Sequence, residues 1–223
     1  MNYSLLVVIF SSLLFIQCTT KSKYELKKKI ENTSFGHEKI DYDTIIELKT
    51  AGDQLILVKE KFQEGKSIAS IYLITEKYVD NIKTEFKDQD PLEDAFLYDL
   101  NLDGVDDLFL ITRSTGSGSY GNVKTFLGEE NKTLLPIEMP EISTDDIEND
   151  GVFVGYRGHD QFELVESELI RKFPIYKDND KNYLPTGGTR IIIYKLKLNQ
   201  NSNWEFEIFK TFDQKEKINV TPE

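Results

Sequence analysis

The stretch FLYDLNLDGVDDLFLITRSTGSGSYGNVKTF, residues Phe96 to Phe126, decides the fold class because it shows strands and turns in direct succession. The runs FLYDL, DDLFLITR and VKTF are rich in Leu, Ile, Val and aromatic residues, as β-strands are. Between them, NLDGV and STGSGSYGN carry Asn, Asp, Gly and Ser, which favour turns. Short strands joined by tight connections predict an antiparallel arrangement.

The same pattern extends on both sides of this stretch, and hardly any segment has helical periodicity. We therefore predict an all-β protein, built as an antiparallel β-sandwich or barrel-like single domain over residues 44–212. The segment YVDNIKTEF fits either a helical turn or a strand, and residues 139–150 indicate an acidic surface loop. The strand-like runs are TIIELKT, QLILVKEKF, SIASIYLIT, AFLYDL, DDLFLITR, VKTFL, ELIRKFPIY, RIIIYKLKL and WEFEIFKTF.

The N-terminal segment MNYSLLVVIFSSLLFIQ contains no Asp, Glu, Lys or Arg. Its apolar core is shorter than the roughly 20 residues that a membrane-spanning helix needs, so it fits a secretory signal. The following LFIQC resembles a bacterial lipobox, in which the cysteine becomes the lipid-modified first residue. We predict a signal peptide over 1–17, lipidation at Cys18, a polar tether over 18–43 and a polar tail over 213–223. These features predict an exported protein, a periplasmic or outer-membrane lipoprotein.

The cysteine count and the net charge indicate what stabilises the fold and which partners are favoured. The chain has one cysteine, so no internal disulfide can form and the fold depends on its hydrophobic core. Lys plus Arg total 27 against 39 Asp plus Glu, a net charge of -12. Such a surface repels phosphate backbones, which argues against nucleic acid as a partner, and it attracts basic proteins.

A calcium loop is one interpretation of DLNLDGVDD. The pattern spaces oxygen-bearing side chains two residues apart around the sharp turn at Gly104. An EF-hand needs a Glu at the twelfth position, where this chain has Leu110, so only a hairpin-type loop fits. The alternatives are a calcium-stabilised surface lipoprotein that binds glycan or protein, and an ordinary Asx turn. The residues concerned are Asp99, Asn101, Asp103 and Asp107.

Enzymatic chemistry has little support in the Gly-Ser stretch. GSGSYG matches neither the register of a nucleophile elbow nor a P-loop, which ends in Lys and Ser or Thr. The chain has two histidines, His37 and His159, and His159 suits a turn histidine held by Asp160. We predict that the protein is not an enzyme and uses no cofactor; a hydrolase that uses Ser119 or His159 is the weaker alternative.

A D-x-N-x-D-G turn and four motifs that follow it in register resemble the periplasmic inhibitors of invertebrate-type lysozyme, the PliI family. The likeness spans about residues 50–212. It rests on a D-x-N-x-D-G turn before a strand, a Ser-Gly-Ser-Tyr loop after it, a G-H-D-x-F segment, an R-x-F-P-x-Y segment and a P-T-G-G-T-R turn. These are Asp99–Gly104, Ser117–Tyr120, Gly158–Phe162, Arg171–Tyr176 and Pro185–Arg190.

The resemblance implies an inhibitor that plugs the lysozyme cleft, with invertebrate-type lysozyme as its partner; dimers occur in the family, so it also allows a homodimer. Ser117 and Tyr120 are implied to hydrogen-bond near the two catalytic carboxyls. Ser119 should matter less if side chains alternate along the loop. From the residues alone, Tyr120 equally suits a strand-end tyrosine that covers a sheet edge. The implied contact residues are Ser117, Gly118, Ser119, Tyr120, Thr186, Thr189 and Arg190.

Overall fold

The computed structural model describes residues 41–130, 132–148, 150–181 and 183–215, and the backbone of two short strands before them. Strands dominate, and the predicted all-β class is confirmed. The elements are β1 Ser34–Phe35, β2 Glu38–Lys39, β3 Thr44–Lys49, β4 Leu55–Phe62, β5 Ala69–Glu76, β6 Lys83–Gln89, β7 Leu92–Tyr98, β8 Asp107–Arg113, β9 Gly121–Glu129, β10 Thr133–Ile137, α1 Thr144–Ile147, β11 Gln161–Val165, β12 Glu168–Pro174, β13 Thr189–Leu198 and β14 Trp204–Gln214.

The long strands form three four-stranded antiparallel sheets, each of which follows the chain order strand by strand. The first sheet contains β3 to β6, the middle sheet β7 to β10 and the last sheet β11 to β14. Strands β1 and β2 pair with each other inside the segment predicted as a tether. Because every connection within a sheet joins neighbouring strands, the turns predicted from sequence are the hairpin turns of the fold.

The middle sheet is covered on both faces. On β8, Leu108 and Leu110 belong to a core shared with the first sheet, whereas Phe109 and Ile111 belong to a core shared with the last sheet. Alternate residues of a strand point to opposite faces, so β8 is apolar without alternation because both faces are buried. Burial of each such side chain contributes roughly 1.5–3 kcal/mol. Because the middle sheet packs against both of the other sheets, the fold is a layered β-sandwich.

The folded part of the chain extends slightly beyond residues 44–212. Tyr42 is buried, with its ring 5.3 Å from that of Tyr72 and the Lys59 ammonium 5.0 Å from its centroid. At the other end β14 continues through Gln214, two residues into the predicted polar tail. The predicted signal peptide and the lipidation site Cys18 lie outside the described residues. No helix in the described part of the chain is long and apolar enough to span a membrane.

Candidate functional site

The Gly-Ser stretch forms the connection from β8 to β9, and its backbone is fixed by local hydrogen bonds. The Ser114 N–H donates to the Tyr120 carbonyl at 2.9 Å, and the Tyr120 N–H donates to the Ser114 hydroxyl at 2.8 Å. Within the loop, the Ser119 N–H donates to the Gly116 carbonyl at 2.9 Å. Arg113 adds a bond from Nη1 to the Ser119 carbonyl at 3.0 Å. The loop therefore has one defined shape before any partner arrives.

A second segment, Gly158 to Asp160, lies directly against this loop. The His159 N–H donates to the carbonyls of Gly118 and Ser119, at 2.7 and 3.2 Å. A Cβ at position 158 would lie 2.0 Å from the Gly118 carbonyl oxygen, and the φ of Gly158 is +91°. Only glycine allows both this backbone angle and this close approach. The two segments fit together as one rigid unit.

A buried carboxylate ties this unit to the last sheet. Asp160, only 1% exposed, accepts hydrogen bonds from the Gly121 N–H at 2.8 Å, from Arg171 Nε at 2.7 Å and from the Tyr156 hydroxyl at 2.7 Å. Arg171 Nη2 in turn donates to the Tyr156 hydroxyl at 2.7 Å. Since buried charges need partners, this network explains how an ion pair is tolerated beneath the loop. We call Tyr156, Asp160 and Arg171 the buried network.

The electrostatics of the buried network keep its ionisation fixed. Burial raises the pKa of the Tyr156 phenol well above its ordinary value, although Arg171 acts in the opposite direction. Burial alone lowers the pKa of Arg171, but the Asp160 carboxylate and Tyr156 outweigh that effect and leave it raised. The rings of Phe153, Tyr156 and Phe162 surround the guanidinium at 5.0, 5.1 and 5.6 Å. Tyr156 therefore stays a neutral hydrogen-bonding group and Arg171 a cation.

Tyr120 stands at the exposed end of the loop between two concave surfaces. It is 47% exposed, and its ring meets that of Tyr156 edge-on with centroids 5.6 Å apart. On one side lies a pocket of about 160 Å³, which we call the cationic pocket. On the other side lies a wider groove of about 570 Å³, bordered by Met139, Pro140, Glu141 and Ile142. The cationic pocket is lined by Ser117, Gly118, Tyr120, Arg157, His159 and Tyr176.

Arg157 and Tyr176 were not predicted as site residues. The Arg157 guanidinium lies over the Tyr176 ring at 5.1 Å, and the His159 ring stacks on the same tyrosine at 6.4 Å. Tyr176 ends the R-x-F-P-x-Y segment and Arg157 directly precedes the G-H-D-x-F segment, but nothing local gives them a role. The packing of three separate segments brings them beside Ser117 and Tyr120.

The second predicted contact loop, Pro185 to Arg190, is held by carboxylates of the fold. The Thr186 N–H and hydroxyl both donate to Asp180 at 2.8 Å. Arg190 makes a bidentate pair with Asp213 at 2.7 and 3.0 Å, and Thr189 pairs with Pro174 in the sheet. These residues shape the edge of the last sheet, and their contact with a partner stays a prediction.

The hydrolase alternative needs a serine activated by His159. Among the described residues, neither the Ser117 nor the Ser119 hydroxyl is hydrogen-bonded to the His159 imidazole. Asp160, which we expected to hold that histidine, binds the Gly121 amide and Arg171 instead. Asp160 is therefore not placed to orient His159 as the acid of a catalytic triad would.

The DLNLDGVDD stretch forms a closed turn between β7 and β8. Asp99 accepts from the N–H groups of Asp103 and Gly104 at 3.1 and 2.9 Å, and Asp103 accepts from the Val105 N–H at 2.8 Å. This is the geometry of an Asx turn, in which carboxylates satisfy the turn's own amides. Within the described ranges, no group of three or more His, Cys, Asp or Glu side chains is placed to hold a metal ion.

Asp107 gives a testable pH dependence. It is 0% exposed and accepts from the Leu100 and Gly128 amides at 2.8 and 2.9 Å. Burial raises its pKa to about 6, although the amide donors lower it in part. An unfolded aspartate titrates near ~3.9, so the folded state binds more protons between about pH 4 and pH 6. Asp107 therefore makes the protein less stable as pH rises through this window, by up to about 3 kcal/mol.

We expect urea unfolding of the wild type and of Asp107→Asn to show this difference. The Asn variant is less stable throughout because its NH₂ group faces an amide donor, but it lacks the loss of stability between about pH 4 and pH 6. Carboxylates elsewhere titrate equally in both proteins and cancel in the comparison. Parallel stability curves for the two proteins across this window would contradict the assignment.

Comparisons of the chain with protein-family models, with curated proteins and with solved structures give no match. The fold and the site nevertheless define a class of architecture. This is a layered all-β protein that presents a rigid Gly-Ser-Tyr loop next to a small pocket with a cationic lining.

Proposed function

We propose that this protein inhibits lysozyme, preferring the invertebrate type, by placing the loop Ser117 to Tyr120 in the enzyme's substrate cleft. The observation that carries the proposal is the loop itself. Its backbone is fixed by hydrogen bonds on two sides, while Ser117 and Tyr120 remain exposed at its end. A rigid loop with an exposed aromatic anchor is suited to enter a cleft, because little conformational entropy is lost on binding.

The chemistry of a lysozyme cleft matches the groups on this loop. Such enzymes use two carboxyls that flank the scissile glycosidic bond. The hydroxyls of Ser117 and Tyr120 donate hydrogen bonds to these carboxyls in the proposed complex. Hydrogen bonds to an ionised acceptor are roughly twice as strong as neutral ones. The inhibitor thus occupies the place of the sugar and acts competitively.

Charge supports the same partner. The net charge of -12 favours encounter with a basic enzyme and speeds association at low ionic strength. It disfavours nucleic acid for the same reason. In this proposal the protein is a binding protein and not an enzyme, needs no cofactor, and protects peptidoglycan from hydrolysis.

The proposal places the protein in the bacterial cell envelope. The signal-like segment and Cys18 support export and lipid anchoring, with the polar tether holding the β-domain away from the membrane. Lysozyme reaches peptidoglycan in this compartment, so an anchored inhibitor can bind the enzyme before the enzyme binds its substrate. No surface is assigned to a homodimer.

The direct test is a lysis assay with the mature chain that begins after Cys18. We expect stoichiometric inhibition of an invertebrate-type lysozyme, overcome by added substrate as for a competitive inhibitor. Chicken-type and goose-type lysozymes serve as comparisons and should be inhibited less. Undiminished lysis by all three enzymes at micromolar inhibitor would refute the proposal.

A further inference from the structure

We propose that the cationic pocket beside Tyr120 is a carboxylate-binding site and that Arg157 supplies its positive charge. The inference rests on the proposed function and deepens it. One catalytic carboxylate of the lysozyme enters the pocket, where it meets Arg157 as well as the hydroxyls of the loop. Arg157 is then a second determinant of affinity, separate from the Ser-Gly-Ser-Tyr sequence.

The lining of the pocket is opposite in charge to the rest of the chain. The protein has 39 acidic against 27 basic side chains, yet no Asp or Glu lines this pocket. Arg157 is a permanent cation with a fork of N–H donors suited to carboxylates. His159 adds a ring without a negative charge. Ser117 and Tyr120 add hydroxyl groups, so donors predominate in the site.

The cation is held in place before a ligand binds. The Arg157 guanidinium lies over the Tyr176 ring at 5.1 Å, and its Nη1 donates to the Asp180 carbonyl at 3.4 Å. The Asp180 carboxylate itself accepts from the Lys177 N–H at 2.7 Å and from Thr186. Because the stack fixes the plane of the guanidinium, less side-chain entropy is lost when a carboxylate arrives.

The pocket is small, with a volume of about 160 Å³ lined by six residues. The carboxyl end of an Asp or Glu side chain presented by a protein fits this space.

The decisive experiment is a double-mutant cycle between Arg157 and the lysozyme carboxyls, read as dissociation constants by calorimetry. Arg157→Met removes the charge but keeps an unbranched side chain that can still lie over Tyr176. We expect it to weaken binding to wild-type lysozyme on the order of thirtyfold, as for loss of one member of a desolvated charge pair. Against the lysozyme whose facing catalytic carboxyl has been changed to an amide, the same substitution should have little effect.

Two control variants isolate the contact. Arg157→Lys keeps the charge and should recover part of the affinity. Lys181→Met removes the same charge from an exposed lysine that does not line the pocket, so it reports only the change in overall charge. Its effect should stay within about twofold, because an exposed charge contributes mainly to the association rate.

A second measurement separates this inference from the proposed function. The imidazole signals of the free protein are followed by NMR as sodium acetate replaces chloride at constant ionic strength. We expect a saturable shift of the His159 signal that is lost in Arg157→Met, with His37 as reference.

The two experiments together decide between the possible ligands. If acetate saturates the shift but the double-mutant cycle shows no coupling, the ligand is a free carboxylate and the proposed role of the lysozyme carboxylate is wrong. If the cycle shows no coupling beyond twofold and acetate causes no saturable shift, the pocket is not a carboxylate site. If the wild type does not bind lysozyme at all, the proposed function fails and the acetate titration alone decides.

Discussion

Replacing Ser117 and Tyr120 together by alanine is expected to raise the inhibition constant against an invertebrate-type lysozyme by at least about thirtyfold. Each single change should cost on the order of 1–3 kcal/mol, for a lost charge-assisted hydrogen bond or a truncated aromatic anchor. That range corresponds to about fivefold to over a hundredfold for each variant. The measurement is an inhibition curve for each single variant and for the double variant.

Stability measurements on the same variants separate a binding role from a structural one. Ser117 is exposed and Tyr120 is 47% exposed, so thermal stability should change little. Ser119→Ala is the matched control within the loop, since its φ of +44° disfavours serine and alanine alike. Ser119→Ala should raise the inhibition constant less than Ser117→Ala or Tyr120→Ala does. Wild-type potency in the double variant would disprove the plug mechanism. A collapse in folding would instead support Tyr120 as a structural tyrosine.

Arg171→Met is expected to destabilise the protein by about 3–5 kcal/mol, because it leaves the Asp160 carboxylate buried without its charge partner. The Asp160 side chain is 0% exposed and that of Arg171 is 9% exposed, so solvent cannot replace the lost bonds. Changing both residues, as in Asp160→Asn with Arg171→Met, should cost less than Arg171→Met alone, since no unpaired charge remains. Urea unfolding at neutral pH compares both variants with the wild type.

The neighbouring residue on β12 provides the control. Lys172 pairs with Glu163 at 2.6 Å, but these side chains are 27% and 49% exposed. Lys172→Met should therefore cost no more than about 1 kcal/mol. Equal effects of Arg171→Met and Lys172→Met would show that the buried network does not stabilise the fold. Inhibition by Arg171→Met should also fall at temperatures where it remains folded, because Asp160 holds the Gly121 amide at the end of the loop.

The long strands that were missed or left open from the sequence lie at sheet edges. β10 and β11 were not predicted, and β6 begins within the segment that fitted helix or strand. All three are edge strands, with mostly exposed or half-buried residues. Edge strands carry charges and proline, such as Pro136 in β10, because one side of their backbone is unpaired. β6 and β10 therefore lack the apolar alternation that reveals a strand, whereas β11 has it only at Phe162 and Leu164 within five residues.

The local sequence by itself determined the all-β class, the hairpin turns and the Gly-Ser-Tyr loop, because period-two apolar patterning and turn residues act over a few positions. The tertiary structure alone decided what surrounds the loop. Arg157 and Tyr176 reach the pocket, and Asp160 and Arg171 form their buried pair, only because the last sheet packs against the middle one. Contacts between residues far apart in sequence depend on how the sheets stack, and local periodicity does not encode that geometry.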